Sequence, residues 1–287
     1  MNTDQIYQKS FSRNLGLINP EEQQILRNSR IAIPGMGGVG GVHAVTLART
    51  GLGRFKLADF DEFDYANFNR QYGAFQSTVG KSKVEVMEKF IKDINPSADI
   101  IAYEQGINES NIDDFLKDVD VVVDSLDVFV PQTRRLLFNK AREKGIYVVT
   151  AAPLGFSVLS TIHSPHGKSI DKACGLKDGM SDDEVLARML AGATKGTHTQ
   201  YMDFRKINVE TGVAPSLGLA CQLVSGVVAA EVVNILLKKR PIVAYPWAFQ
   251  FDPYVHKYKK ILNWIGPKNP LFKIRLVMIR KILAKKK

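Results

Sequence analysis

The fold is decided by the stretch Ile31-Ala32-Ile33-Pro34-Gly35-Met36-Gly37-Gly38-Val39-Gly40. It reads as a short apolar strand, a glycine turn and a helix start, and three of its glycines (Gly35, Gly37 and Gly40) fit the pattern G-x-G-x-x-G. Glycine lets the backbone turn tightly and approach phosphate oxygens, and the following helix directs unpaired N–H groups at the anion. Alone, the pattern is a weak signal that usually indicates a dinucleotide site.

Predicted strands and helices alternate from this turn to about residue 152. The expected strands are 31–33, 54–59, 100–103, 119–124 and 147–152, with helices between them. The run at 119–124 is apolar and bounded by acids, which suits a parallel strand buried on both faces. Further strands are expected at 156–163 and 247–251. The sequence therefore predicts an α/β fold with a Rossmann-like, doubly wound, mostly parallel sheet and antiparallel C-terminal strands.

Composition narrows the class of protein. The polar N-terminus lacks the apolar core of a signal peptide, and no apolar run reaches the roughly 18 residues that a membrane span needs. Two cysteines far apart, Cys174 and Cys221, fit a reducing compartment and exclude a disulfide framework or a four-cysteine zinc site. We therefore expect a cytoplasmic protein. Cys174, in a polar glycine-rich stretch, is interpreted as either a bystander or an exposed reactive thiol, and Cys221 as a core residue.

The positive charge is concentrated at the C-terminus. The chain has a net charge of +10, and residues 257–287 contain eleven Lys and Arg and no acid. The rest of the chain is close to neutral, so we predict no nucleic-acid partner for the body. The tail has the pattern of a basic amphipathic helix over 270–284, which suits an anionic membrane surface, an acidic partner, or packing on the body.

Charged side chains follow the glycine turn in an order that suits a nucleotide site. Asp59 closes the second strand about 20 residues after the turn, where an acid can bond a ribose hydroxyl. Asp127 follows the 119–124 strand, and ligands of open parallel sheets bind at the carboxyl ends of the strands. Arg70 and Lys83 add two cations, and Asp127 suits a hydrated Mg²⁺. Two cations, an acid and a glycine turn fit a triphosphate better than they fit NAD.

At this point the chain resembles the MoeB/ThiF-like adenylyltransferases, which are relatives of the ubiquitin-activating enzymes. The resemblance rests on the glycine turn, Asp59-Phe60-Asp61, Asn67-Phe68-Asn69-Arg70-Gln71, Gly80-Lys81-Ser82-Lys83, Asn95-Pro96, Asp124-Ser125-Leu126-Asp127 and Gly212-Val213-Ala214-Pro215. It covers roughly residues 5–252. We accordingly divide the chain into an N-terminal helical segment (1–30), a ThiF-like ATP-binding domain (31–256) and a basic tail (257–287).

The resemblance implies a role for each matching residue. The resemblance implies that ATP binds over the glycines Gly35, Gly37, Gly38 and Gly40, and that Asp59 binds its ribose. Arg70 and Lys83 would bind the ATP phosphates, and Asn67 and Gln71 would support these two cations. Asp127 would position Mg²⁺. Arg13 would reach into the partner subunit's ATP site, which implies a homodimer. The implied reaction joins AMP to the C-terminal carboxylate of a small ubiquitin-like or sulfur-carrier protein.

Some features leave alternatives open. Family members often carry two zinc-binding C-x-x-C pairs, and this chain has none, so no zinc is expected. Val128 stands where the family often has asparagine. Asp127 is also compatible with a helix N-cap, Asp61 with either a site or a turn role, and Asp124 with a structural role. An NAD(P)-dependent oxidoreductase and a nucleotide-binding scaffold or sensor without turnover are the competing functions.

Overall fold

The computed structural model describes residues 1–193, 196–208 and 211–284, and its centre is a mixed β-sheet. In this part of the chain the strands are β1 (Arg30–Pro34), β2 (Arg54–Ala58), β3 (Asp99–Tyr103), β4 (Val121–Asp124), β5 (Tyr147–Leu154), β6 (Ser157–His163), β7 (Trp247–Asp252) and β8 (Lys257–Leu262). They form one sheet in the order β3-β2-β1-β4-β5-β6-β7-β8. Strands β1 to β5 pair in parallel, and β6, β7 and β8 continue the sheet antiparallel. The predicted fold class is confirmed.

The strand order places a crevice next to the glycine turn. The chain runs from β1 outward to β2 and β3 and then returns to β4 on the other side of β1. The loops after β1 and β4 therefore leave the sheet in opposite directions, and this switch point is where open α/β sheets bind ligands.

Helices cover both faces of the sheet. They are α1 (Thr3–Ser10), α2 (Pro20–Asn28), α3 (Gly40–Arg49), α4 (Lys83–Ile94), α5 (Ile112–Phe115), α6 (Pro131–Glu143), α7 (Ile170–Cys174), α8 (Asp182–Gly192), α9 (Gly218–Leu237) and α10 (Pro270–Ala284). Local signals explain several boundaries. Asn19 and Glu22 form the capping box that starts α2, as its sequence predicts.

Helix α9 buries one face in the main core. Its side chains Val224, Val228 and Val232 are buried in the main core, and Ser225 Oγ donates to the Val42 carbonyl of α3 over 3.0 Å. By length and composition α9 could cross a membrane, so the expectation that no stretch is apolar enough was wrong. Its packing against α3, β5 and β6 explains the composition without a membrane.

The C-terminal region belongs to the folded body. Strand β8, which the sequence interpretation did not include, pairs with β7 from Asp252↔Lys257 to Trp247↔Leu262, so the boundary between 256 and 257 cuts a hairpin. Helix α10 forms where its amphipathic pattern predicts, and Phe272, Leu276 and Leu283 pack in a cluster with residues of α8.

Residues 164–193 contain more helix than expected. The sequence pattern of this polar, glycine-rich stretch predicts a single short helix near 181–190, whereas the structure has two helices, α7 and α8. Cys174 is the last residue of α7 and is buried. Burial is the largest of the effects on the pKa of its thiol, which is raised to about 12. The interpretation of Cys174 as an exposed reactive thiol was therefore wrong. Cys221 is buried, as predicted.

Candidate functional site

The glycine turn packs tightly against the loop that follows β4. Gly35 has φ +91°, and a Cβ there would lie 2.7 Å from the Ser125 carbonyl oxygen. A Cβ at Gly40 would collide with the Gly35 carbonyl. Only glycine fits these two positions, because one needs a left-handed backbone and the other a contact between backbones. The turn then enters α3 and leaves a backbone surface with no side chain at the helix start.

Asp59 connects the glycine turn to the loop after β2. Its Oδ2 accepts from the Met36 backbone N–H over 2.5 Å, and its Oδ1 accepts from the Asp61 N–H over 2.8 Å. Desolvation is the largest effect on its pKa, which is raised above the ordinary value although both hydrogen bonds lower it. The carboxylate therefore lies beside the glycine turn at the carboxyl end of β2.

Lys83 lies at the start of α4 and pairs with Asp61. Its side chain is only 6% exposed, its Nζ lies 2.9 Å from Asp61 Oδ2, and its backbone N–H donates to the Asp61 carbonyl over 3.0 Å. An ammonium has three N–H donors, so the pairing leaves capacity for an anionic ligand. Asp61 therefore contacts Lys83 through both its carboxylate and its backbone carbonyl.

A polar loop after β2 brings two more side chains to the glycine turn. The stem of Arg70 lies 3.8 Å from the Cβ position of Gly38, and Gln71 Nε2 lies 3.8 Å from that of Gly37. Gln71 is buried, and its Oε1 has no hydrogen-bond partner among the described residues. A buried acceptor without a partner is costly, and this feature marks Gln71 as a candidate site residue.

Asn67 organises this loop from within. Its carbonyl accepts the N–H groups of Arg70 and Gln71 over 3.1 and 2.9 Å. Its side-chain Oδ1 accepts from the Asp64 N–H over 3.1 Å and caps a short 3₁₀ turn. Arg70 Nη1 donates to the Ala66 carbonyl and to Asn69 Oδ1, so its guanidinium is held close to the loop.

Asp127 lies in the loop that leaves β4. It is exposed, and its Oδ1 accepts from the Phe129 N–H over 3.0 Å. Helix α6 begins later, at Pro131, with Val130 at the N-cap and no side-chain cap, so the helix-cap interpretation of Asp127 was wrong. An exposed carboxylate in this loop is a ligand type that Mg²⁺ accepts together with phosphates and water.

The sequence interpretation missed the network that supports this loop. Asp124 is buried, and its Oδ2 accepts from Arg134 Nε and from Thr150 Oγ1, each over 2.8 Å. Its Oδ1 accepts from the Leu126 N–H over 3.2 Å. Asp124 is therefore structural, one of the two interpretations left open. Nothing in the sequence pairs Arg134 with it, because the two meet only when α6 packs back on the sheet.

Arg13 lies far from the glycine turn of its own chain. It is exposed, in a 3₁₀ turn at Ser12–Asn14. The neighbouring Asn14 donates to the Thr50 carbonyl at the C-terminal end of α3, whereas the glycine turn is at the other end of that helix. Ten residues of helix span about 15 Å. The structure therefore does not bring Arg13 together with the other predicted residues within one chain.

The arrangement fits a nucleotide triphosphate. The glycine turn offers a bare backbone surface, Arg70 and Lys83 supply two cations, and Asp127 could hold Mg²⁺. Among the described residues, no group of three or more His, Cys, Asp and Glu side chains is arranged to hold a metal ion on its own. A Mg²⁺ held by one carboxylate and by phosphates needs no such group.

Comparison with known proteins identifies a family model over most of the chain and relatives over about half of it. The model of the ThiF family matches residues 11–269. The tRNA threonylcarbamoyladenosine dehydratase of Bacillus subtilis is 43% identical over 118 residues, which are 41% of this chain and 46% of that protein. The SAMP-activating enzyme E1 of Haloferax volcanii is 32% identical over 159 residues, 55% of this chain and 58% of that protein. This chain thus spans about half the length of these relatives.

A solved structure shows the same fold. The crystal structure of E. coli MccB with ATP superposes with a TM-score of 0.66 and 18% sequence identity, and the match covers 92% of this chain and 73% of that chain. At this identity the likeness establishes the fold alone.

Proposed function

The chain belongs to the ThiF family, and from this premise we propose that it is an ATP-dependent adenylyltransferase that activates a carboxylate as an acyl-adenylate. One chain of contacts carries the proposal: the stem of Arg70 lies against the glycine turn, and Lys83 pairs with Asp61, whose neighbour Asp59 accepts a hydrogen bond from Met36 of that turn. Dinucleotide oxidoreductases share the turn, but a dinucleotide gives these two cations less charge to neutralise.

The reaction needs no protein nucleophile. A carboxylate oxygen of the acceptor attacks the α-phosphorus of ATP, the bond to the β-phosphate oxygen breaks, and pyrophosphate leaves with its electron pair. Arg70 and Lys83 neutralise charge that develops on the phosphate oxygens, and such preorganised donors are a large part of enzymatic rate enhancement. Mg²⁺ at Asp127 would supply further charge neutralisation. Both cysteines are buried and have raised pKa values, consistent with chemistry that uses no thiolate.

The acceptor we favour is the C-terminus of a small ubiquitin-like or sulfur-carrier protein. The SAMP-activating enzyme E1 among the relatives supports this class of acceptor. A specific observation favours a second candidate, because the 43% identical relative is a tRNA threonylcarbamoyladenosine dehydratase. Removal of water from a carboxylate-bearing group can proceed by adenylylation, since AMP then leaves with the oxygen. This second acceptor runs against the expectation of no nucleic-acid partner.

We further propose that the enzyme is a cytoplasmic homodimer in which Arg13 completes the partner's site. Arg13 is exposed and about one helix length from its own glycine turn, so it can serve a phosphate site only across an interface. An always-protonated guanidinium suits a triphosphate.

ATP–pyrophosphate exchange tests the proposed activity. We expect exchange that depends on Mg²⁺ and on an added carrier protein ending in Gly-Gly or on tRNA bearing the threonylcarbamoyl group. Lys83→Ala should lower the rate about 100-fold or more, the usual effect of removing one transition-state donor. Lys89→Ala is the matched control, because Lys89 is exposed on the same helix. Full exchange by Lys83→Ala, or NAD binding without ATP binding in calorimetry, would contradict the proposal.

A further inference from the structure

Helix α10 has a second apolar face that the fold does not bury. Its inner face packs on α8, whereas Leu271, Ile274, Met278 and Ile282 are 47%, 56%, 59% and 52% exposed. These four residues recur about once per turn, so they form one stripe along the helix. Single exposed apolar residues are ordinary, but a continuous exposed stripe marks an interaction surface.

Helix α10 carries exposed cations beside the stripe and no acid of its own. Lys273 and Lys281 of α10 are exposed, and no Asp or Glu occurs between residues 253 and 284. Glu184 of α8 is the acid next to the helix, and it is already paired with Arg280 and Arg188. The outer face is therefore both apolar and positively charged.

A basic groove lies at the start of α10. It is lined by Lys168, Lys172, Lys268 and by Trp264, whose side chain is largely exposed, together with Gly266, Pro267 and Asn269. An indole that is exposed beside lysines is typical of residues that lie at the level of lipid headgroups. The groove extends the cationic surface beyond the helix itself.

We propose that α10 docks this protein onto an anionic lipid bilayer, with the stripe inserted among the headgroups and the lysines on lipid phosphates. The helix has 15 residues and is about 22 Å long, too short to span a bilayer, so it would lie in the plane of the surface. The proposal does not depend on the adenylyltransferase activity.

The charge and the side-chain types favour lipid over other occupants. A second copy of α10 would bring like charges together. RNA phosphates would bind the cations, but RNA would leave the four exposed aliphatic side chains without an apolar contact. An anionic bilayer satisfies both properties of the face at once, and each cation near such a surface adds on the order of fivefold to the binding constant.

Vesicle flotation with the full chain tests the proposal. We expect binding to vesicles of phosphatidylcholine with phosphatidylglycerol, weak binding to pure phosphatidylcholine, and release at high salt. Ile274→Gln with Met278→Gln, and separately Lys273→Glu with Lys281→Glu, should each weaken binding more than tenfold. The controls are Ile25→Gln and Lys89→Glu with Lys117→Glu, exposed residues outside α10, which should bind like the wild type. Unchanged circular dichroism and thermal unfolding in all variants would show that they are folded.

Three results would overturn the proposal. The first is no binding to anionic vesicles, or equal weakening by the control variants. The second is conversion of a dimer to a monomer by Ile274→Gln with Met278→Gln in analytical ultracentrifugation, which would make the stripe a self-association surface. The third is RNA binding that depends on Lys273 and Lys281 while vesicles are ignored.

Discussion

At the scale of single residues, the loops of the candidate site are held together by side chains that accept hydrogen bonds from backbone N–H groups. Asp59 ties the glycine turn to the loop after β2, and Asp124, fixed by Arg134 of α6, holds the loop after β4 by accepting from the Leu126 N–H. Sequence patterns locate Asp59 because its distance from the glycine turn is characteristic. They do not reveal the Asp124–Arg134 pair, which depends on how a helix packs.

A buried histidine near the site makes a prediction about acid stability. Both ring nitrogens of His43 are buried without a partner among the described residues, and burial lowers its pKa from 6.5 to about 3. Below pH 6.5 the imidazole of His43 is protonated in the unfolded chain but stays neutral in the folded protein. The contribution of neutral His43 to the free energy of unfolding is therefore complete above pH 6.5 and is lost progressively as the pH falls towards 3.

We expect His43→Leu to flatten this pH dependence. Between pH 6.5 and 4.5 the wild type should lose about 2–3 kcal/mol more of its free energy of unfolding than the variant. Each pH unit below 6.5 corresponds to about 1.4 kcal/mol for one proton. Urea unfolding at a series of pH values measures the difference. His166→Leu, at an exposed position, is the control. Equal acid sensitivity in wild type and His43→Leu would show that His43 is not the buried neutral group described here.

At the scale of elements, the sequence predicts the parallel half of the fold better than the C-terminal half. Buried parallel strands are continuous apolar runs, and the helices between them are capped by recognisable residues. Strand β8 was missed because Lys257, Lys259 and Lys260 make it look like a charged tail. Lysines are what an edge strand carries to prevent pairing with other chains. Helix α7 is only five residues long, and the burial of Cys174 depends on distant segments that pack on it.

The docking of α10 on α8 can be tested through Phe272. Its ring is almost fully buried in the cluster between the two helices. Phe272→Ala should remove about 3–5 kcal/mol of packing energy, the usual cost for a buried phenylalanine. Hydrogen exchange of the α10 amides should accelerate about 100-fold or more, while Ile274→Ala, on the exposed stripe, should leave it unchanged. Exchange rates unaffected by Phe272→Ala would mean that α10 is not held by this contact.

At the scale of the whole molecule, the proposed action of Arg13 across an interface requires two subunits for each complete site. Arg13→Ala and Lys83→Ala homodimers should both be nearly inactive, for different reasons. Mixed and re-equilibrated, they should recover activity, because one site of each mixed dimer then has wild-type Lys83 and receives wild-type Arg13. Exchange assays on mixtures, with heterodimers quantified by native mass spectrometry, measure the recovery. Heterodimers without activity, or an active monomer, would exclude Arg13 acting across the interface.

The central claim is that a carboxylate oxygen attacks the α-phosphorus of ATP at the glycine turn. The most direct measurement starts from an acceptor labelled with ¹⁸O in its carboxylate and traps the acyl group with hydroxylamine. Attack on the acyl carbon breaks its bond to the labelled oxygen, so we expect AMP that carries ¹⁸O, together with unlabelled pyrophosphate. Unlabelled AMP, or ADP and phosphate as the products, would contradict it.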